Sequence, residues 1–511
     1  MATTSNAFHF SSFMQSSVDP RTGLFTQSIA LPPLNANDLC GPDYPGQLDF
    51  NPMNSTNAGF GIGWNLKNSR FNSLTGMLDL YTGETFKVYD NGPGEKPVIP
   101  EGKLESFHFQ NISKDNRKRY RIAHKSGLIE ILEPQRSNPD IAITARVTNV
   151  SGHGIRFMYD TEKDHPRLTS IADDTGRSLL EIDYSLTDQV SITSNPKTPD
   201  SARYTLKLDS EQLRKIILPT SADEYWDVNY QSHEQGTGNE KVTLYFINRI
   251  KNPDGGVETI TYKGDGHKYP GIERTLPCVE EHVVMPDLFD INTHMRTRYR
   301  FSSNNFLGNN TGLIYGDDGT DQLYRYANSH YEYTSTAEHY LGKAIQRTVV
   351  STFNRFHLMT LQTTTEQGCI ETIRTKYHEK DNTQFNDQPA YFQLPHKVIK
   401  SWHQAGSSVP GDSEETTTLY DNYGNLLTEI KPDGSRMERT YYPGTEDPDG
   451  VEIQLLRGDT SNPMPLQAEV RMKPVEINIT RLDFFARYYQ SSPIVKPGLA
   501  EGALSFTVSY K

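Results

Sequence analysis

The chain has 511 residues, of which 35% are hydrophobic and 10% aromatic, and a formal net charge of -13. With 28 Tyr and 22 Phe it is not a disordered chain, because disorder goes with few aromatics. The acidic balance argues against general nucleic-acid binding, which needs Lys and Arg to neutralise phosphates, and against docking on anionic membranes.

Three cysteines, Cys40, Cys278 and Cys369, are too few and too scattered for a disulfide framework or a Cys-pair zinc site. They are expected to be buried free thiols, as suits folding in a reducing cytoplasm. No apolar run approaches the roughly 18 residues of a membrane-spanning helix. Residues 1–10 lack the basic start and apolar centre of a secretory signal. Synthesis in the cytoplasm is therefore expected, with any export using a route that reads no signal peptide.

In chain order, residues 1–150 show glycine turns between short apolar stretches and predict a β-rich N-terminal domain. Hairpins are expected over 74–83 and 124–132, and a loop over 91–97. Gly59, Gly61 and Gly63 do not make a dinucleotide fingerprint, since Trp64 stands where the next glycine belongs. They predict a turn whose backbone passes close to Trp64. The basic cluster 114–119 reads as a solvated turn or strand edge.

Residues 151–445 read as a repeat region. Ile155, Phe157 and Tyr159 alternate with polar residues, as do Leu180, Ile182 and Tyr184, and Trp226, Val228 and Tyr230. A period of two marks half-buried strands. A Leu-x-x-Ile core recurs as Leu168/Ile171, Leu213/Ile216, Ile247/Ile250 and Leu427/Ile430. Each copy runs into a turn signal, such as Asp174-Thr175-Gly176, Pro253-Asp254-Gly255 or Pro432-Asp433-Gly434. Each turn leads to a strand carrying Tyr184, Tyr230, Tyr262 or Tyr441. Tyr159-Asp160 and Tyr420-Asp421 precede two of the copies. A less regular insertion is expected near 270–345, with a short helix over 335–341 capped by Ser335. A loop follows at 406–412, and residues 446–511 form a tail with no defensible repeat.

The clearest copy runs from Tyr420-Asp421 through Gly424, Pro432, Asp433 and Gly434 to Tyr441. It reads as strand, tight turn, strand, tight turn, strand: Asp supplies a local hydrogen bond, Gly a positive φ, and Pro a fixed φ before the bend.

Chemistry finds little purchase. Cys278, Glu280, Glu281 and His282 lie close together, with His294 nearby; Glu280 and His282 would share a strand face. A zinc site takes three or four ligands, and His233-Glu234 lacks the second His of a helical zinc motif. No Gly-x-Ser-x-Gly elbow is present. The acid pairs Asp173-Asp174, Glu280-Glu281 and Glu414-Glu415 sit among turn residues. No catalytic residue, metal or cofactor is assigned, and the expectation is a protein that is not an enzyme.

Tyr420-Asp421-x-x-Gly424-Asn425-Leu426 with Pro432-Asp433-Gly434 resembles the YD repeat of the RHS family. The stretch from Val18-Asp19-Pro20-Arg21-Thr22-Gly23 to Pro32, the run Gly59 to Leu66, and Phe353-Asn354-Arg355-Phe356-His357-Leu358 resemble further segments of RHS and insecticidal toxin-complex B/C-type proteins. The resemblance spans roughly residues 10 to 445. It implies an all-β fold: antiparallel hairpins forming a sheet that spirals into a partial hollow shell. It implies a structural, toxin-associated role, enclosing or presenting a passenger toxin polypeptide, with other toxin-complex or secretion components as partners. The family's self-cleavage motif has no counterpart here, so self-cleavage and toxin activity do not carry over. The chain also looks shorter than a complete shell requires. The alternative is a carbohydrate- or surface-binding module, in which exposed tyrosines of the sheet stack on glycan rings.

Overall fold

The structure is a computed structural model that describes residues 14–441, apart from 32–33, 43, 45, 105, 116, 137, 161–165, 237–240, 317–319 and 408–410, together with the strands Val451–Arg457 and Phe484–Gln490. Expectations concerning residues 1–10, Pro32, part of the loop at 406–412 and most of the tail at 446–511 lie outside the described residues.

The fold is all-β and antiparallel; the only helical pieces among the described residues are three-residue 3₁₀ turns. Contacts divide the chain into two units, 1–437 and 438–511. In the second, Val451–Arg457 pairs with Phe484–Gln490.

The first unit contains two sheets. A small one joins Met14–Val18, Phe25–Ala30, Gln47–Phe50 and Trp64–Leu66 in sequence order. The large one runs from Arg70–Asn72 to Arg436–Glu438, most strands lying beside their chain neighbours. The hairpin turns explain that order. At Asn149–His153, Asp173–Arg177, Asn252–Gly256, Asn354–Leu358, Asp421–Asn425 and Lys431–Ser435, the first residue's N–H donates to the fifth carbonyl and the fourth N–H returns to the first carbonyl. The fourth residue has φ between 63° and 93°, a conformation glycine adopts without strain. This is a type I turn closed by a left-handed residue, which joins adjacent antiparallel strands and nothing more distant.

The hairpin expected at 124–132 is present, whereas 74–83 holds a single strand, Met77–Asp79, that pairs with Arg70–Asn72 before it and Thr85–Lys87 after it. The helix expected at 335–341 is not: these residues belong to the strand Glu332–Leu341. Tyr333, Thr334, Thr336 and Tyr340 favour a pleated surface, and pairing with strands on both sides overrides one short cap signal. The irregular insertion is also narrower than expected. Thr275–Met285 and Met295–Phe301 are regular strands, leaving irregular backbone, among the described residues, mainly over 302–316 and 320–331. Of the cysteines only Cys278 is buried; Cys40 is partly exposed and Cys369 exposed.

Three features position the candidate site. First, the small sheet covers one face of the large one. Phe25, Leu48, Phe50 and Trp64 share a core with Val147, Ile171, Ile216, Val228, Ile250 and Val279. Residues 14–66 and the repeat strands thus bury each other. Second, Ile141–Thr148 branches, Ile141 to Ile143 pairing with Arg70–Asn72 and Arg146 to Thr148 with Gly154–Asp160. The sheet there curls around its own core of Phe71, Phe109, Tyr120 and Leu132. Third, the strands Met359–Glu366 and Cys369–Tyr377 show no buried–exposed alternation, with most residues half-buried on both faces. This is a single layer of sheet, a wall rather than half of a sandwich.

Candidate functional site: the tyrosine and bulge ladder

Leu-x-x-Ile poses a geometric problem. On a regular strand residues three apart face opposite sides, yet Leu168, Ile171, Leu213, Ile216, Ile247 and Ile250 are all buried. An extra residue in each copy solves it. Tyr159 faces Leu168 and Met158 faces Ser170, leaving Thr169 unmatched. Arg214 is unmatched in the second copy and Asn248 in the third. Each is a β-bulge, which puts two residues opposite one and re-aims the strand. After it, Ile returns to the side occupied by Leu.

The fourth copy corrects the sequence reading by one residue. Tyr420 faces Leu426, and Leu427 is itself the unmatched residue. Leu426 therefore holds the position of Leu168, while Ile430 stands 36% exposed. Among the described residues its apolar side chains are half-buried or exposed, so burial does not select their positions. Further bulges lie at Glu280, Thr360 and His396, each beside a pair in which Tyr262, Phe353 or Tyr377 faces the preceding residue. The repeating unit is a bulge opposite a large side chain, aromatic in most copies and Leu208 in the second.

The tyrosine hydroxyls link successive bulges. Tyr159 donates to the Thr144 carbonyl at 2.8 Å, Tyr230 to Leu213 at 2.8 Å, Tyr262 to Ile247 at 2.7 Å and Tyr377 to Met359 at 3.0 Å. Each acceptor immediately precedes an unmatched residue: Ala145, Arg214, Asn248 or Thr360. A bulge disrupts the ladder locally, and the next hairpin's tyrosine supplies a donor there. Burial pushes the hydroxyls of Tyr159, Tyr230 and Tyr262 well above their ordinary pKa, so they remain donors. The hydroxyl ends of these half-buried rings are thus engaged within the sheet. The i, i+3 apolar spacing was the signal for the bulges, since a strand cannot bury both residues without one.

The polar repeat residues build turns. Asp421 Oδ1 accepts the N–H groups of Tyr423 and Asn425, each at 2.9 Å, and Oδ2 accepts from Asn425 Nδ2 at 3.0 Å. Burial would raise the carboxyl pKa, but these hydrogen bonds, with Lys125 nearby, outweigh it and hold the group below its ordinary value. Gly424 has φ 78° and Gly434 φ 82°. Asp433 Oδ1 accepts the Ser435 N–H at 2.8 Å in the turn that follows Pro432. Asp160 sits opposite Arg167. Tyr441 departs from expectation: the last described strand of this sheet is Arg436–Glu438, exposed throughout, and Tyr441 lies beyond it at 41% exposure.

The run Gly59 to Trp64 lies on the hairpin around residues 208–213. Ile62 N–H donates to the Glu211 carbonyl at 2.8 Å, and a Cβ on Gly61 would come within 2.7 Å of the Leu213 nitrogen. Trp64 Nε1 donates to the Tyr230 hydroxyl at 2.8 Å, joining the small sheet to the ladder. In the segment Phe353 to Leu358, Asn354 Oδ1 holds the turn through two N–H groups at 3.0 Å. Arg355, fully buried, donates to the carbonyls of Tyr326 and Thr383 at 2.7 and 2.6 Å and so ties two loops together. His357, with φ 63°, links the Tyr333 hydroxyl at 2.8 Å to Asp321 at 2.6 Å.

The residues considered for metal do not converge. Glu281 Oε1 accepts from Arg298 Nε at 2.8 Å, His282 Nε2 lies 2.9 Å from Glu258 Oε2, and His294 Nε2 lies 3.0 Å from the Asp287 carbonyl. The bulge at Glu280 removes the alternation by which Glu280 and His282 were to share a face. Sequence reading missed a buried polar centre: Glu130 accepts from Ser69 at 2.6 Å and Thr144 at 2.8 Å, with His124 Nε2 at 2.7 Å. The carboxylate is its hub, so the imidazole does not stand between a hydroxyl and an acid as in a hydrolytic triad.

No family model and no curated protein matches the chain. Among solved structures it is similar to "Crystal Structure of TcdB2-TccC3 without hypervariable C-terminal region", with TM-score 0.33 and 8% identity over 80% of this chain and 37% of that one. "Crystal Structure of TcdB2-TccC3" gives TM-score 0.33 and 8% identity over 88% and 42%. "Crystal Structure of TcdB2-TccC3-TEV" gives 0.30 and 9% over 82% and 37%. The chain spans about two-fifths of the length of these chains.

Proposed function

We propose that the chain is a structural wall that encloses or presents a passenger polypeptide in a toxin-associated system, and that it performs no chemistry of its own. The observation carrying this reading is the curl of the large sheet. The loop near its start reaches loops and turns of its later part: Asp321 N–H donates to Glu101 Oε1 at 3.1 Å, and Lys103 Nζ donates to the carbonyls of Asn386 and Gln388 at 2.6 and 3.1 Å. Leu104 lies against Gly424. A sheet of long hairpins, a single half-buried layer in its later strands Met359–Glu366 and Cys369–Tyr377 and bent this far, suits steric enclosure better than tight recognition of one small ligand. The residue resemblance to RHS and toxin-complex proteins supports the same reading. On this view other toxin-complex or secretion components are its partners.

The test is protease protection of a co-expressed passenger fused to or mixed with the chain. Survival of passenger fragments that are lost without the chain is the expected result; equal digestion in both cases defeats the reading.

A second reading, glycan binding, draws on the aromatics outside the ladder. Tyr423 and Trp402 stand 56% and 37% exposed, and Glu371 accepts from Trp402 Nε1 at 3.1 Å, an arrangement able to stack on a sugar ring. Glycan-array hits abolished by Trp402→Ala or Tyr423→Ala would favour it over enclosure alone.

A further inference from the structure

We infer that one end of the strands between residues 225 and 285 carries a socket for a single cationic side chain of a bound polypeptide, beside an apolar landing surface. The inference rests on the enclosure reading and adds a contact to it. A pocket of about 100 Å³ opens there, walled by Trp226, Ile250, Val257, Met285 and Pro286, with Asn252 and Glu258 as its polar lining. Cofactor and drug-sized sites run from roughly 300 Å³ upward; this one has room for one side chain.

Its polar atoms are not used up. Trp226 is only 4% exposed, and its Nε1–H has no acceptor among the described residues; Asn252 Oδ1, also buried, has no donor. Such orphans are costly unless something pairs with them. Ser16 Oγ donates to Glu258 Oε2 at 2.8 Å and His282 Nε2 lies 2.9 Å from the same oxygen, so neither occupies Oε1.

Next along the chain the surface turns apolar. Leu288 is 47%, Phe289 97% and Ile291 53% exposed. The loop is shaped rather than slack: Asp287 Oδ1 accepts the Phe289 N–H at 2.8 Å and Asp290 Oδ1 the Asn292 N–H at 3.0 Å. A built loop that holds a phenylalanine in water marks an interaction surface.

The occupant follows from the chemistry. The Glu258 carboxylate calls for a donor-rich cation. The apolar walls call for a methylene stem, which Lys and Arg bury while their heads stay polar. Flanking apolar residues cover Leu288 and Phe289. A net charge of -13 favours a basic segment over an acidic one.

The test uses the full chain with 15N-labelled indoles and three peptides, acetyl-Leu-Lys-Leu-amide and its norleucine and glutamate counterparts. Trp226→Phe assigns the resonance. The lysine peptide is expected to shift the Trp226 indole signal saturably and to bind about tenfold more tightly than the norleucine peptide, the scale of one hydrogen bond to a charged group. Glu258→Gln should erase that difference. Phe289→Ser, at a side chain outside the core, should weaken lysine and norleucine peptides alike. An unmoved Trp226 signal at millimolar lysine peptide, or equal binding of lysine and norleucine peptides, overturns the inference. Passenger protection that persists in Glu258→Gln together with such a result would leave enclosure standing, whereas loss of protection in the unmodified chain would strike the enclosure reading itself.

Discussion

A single hydroxyl in the ladder acts on a neighbouring hairpin. Tyr262→Phe removes the donor to the Ile247 carbonyl beside the Asn248 bulge while keeping the ring. The expected loss is about 1 kcal/mol, read as a lower midpoint in urea unfolding, whereas Tyr441→Phe, outside the ladder, should leave the midpoint unchanged. Asp173 gives the corresponding pH effect. Its Oδ2 accepts the buried Asn37 N–H at 3.1 Å and its Oδ1 accepts from Thr175 and Arg177. Burial would raise its pKa, but these hydrogen bonds hold it below the ordinary 3.8. A carboxyl depressed in the folded state stabilises fully above its unfolded value and loses that contribution as pH falls through the folded value. The stability gap between the native chain and Asp173→Ala should therefore be constant above about pH 5 and shrink below about pH 4. A gap that stays constant down to pH 2 would contradict this assignment.

At the scale of elements, the bulge decides which face an apolar side chain takes. Deleting Asn248 restores strict alternation and moves either Ile247 or Ile250 out of the core, since a one-residue slip reverses every side chain beyond it. The deletion should cost more than Ile250→Val, for which about 1 kcal/mol is usual, and calorimetry of the two variants compares them directly. Leu213→Ala, at a fully buried position, should cost about 2–5 kcal/mol. Leu427→Ala, at an unmatched residue of the wall, should cost less than about 1 kcal/mol. Gly61→Ala tests the seating of the small sheet. With φ 105° and a Cβ 2.7 Å from the Leu213 nitrogen, it should destabilise by more than Gly83→Ala, whose Cβ meets nothing within 4 Å.

For the first unit as a whole, the consequential contacts are those by which the sheet's early loop meets its late ones. Lys103 touches Asn386 and Gln388 and lies over the Phe385 ring at 5.2 Å. These contacts are partly exposed, so Lys103→Ala should lower global stability by no more than about 1 kcal/mol. It should speed amide exchange around residues 385–388, because partly exposed segments with few buried contacts open first. Unchanged exchange there would show that the curl holds without this contact. Enclosure makes the parallel prediction that passenger protection depends more on that contact than on any one tyrosine.

The local grammar was legible in the residues. Asp421-x-x-Gly424 and Pro432-Asp433-Gly434 specify their own turns, since every bond involved spans at most four residues, and tyrosines alternating with polar residues specify strands. That is why hairpins, chain-order pairing and the all-β class could be read without coordinates. The faces could not. Leu-x-x-Ile contained the bulge, but only pairing with Tyr159, Leu208 or Tyr230 shows which residue is unmatched, and in the last copy the reading was off by one. The helix expected at 335–341 failed because two flanking strands outweighed a cap. Contacts over long separations lay furthest from view. Gly61 against Leu213, Ser16 against Glu258, and Lys103 against Gln388 depend on surfaces that come together only after the sheet has twisted and curled, and no spacing along the chain encodes that closure.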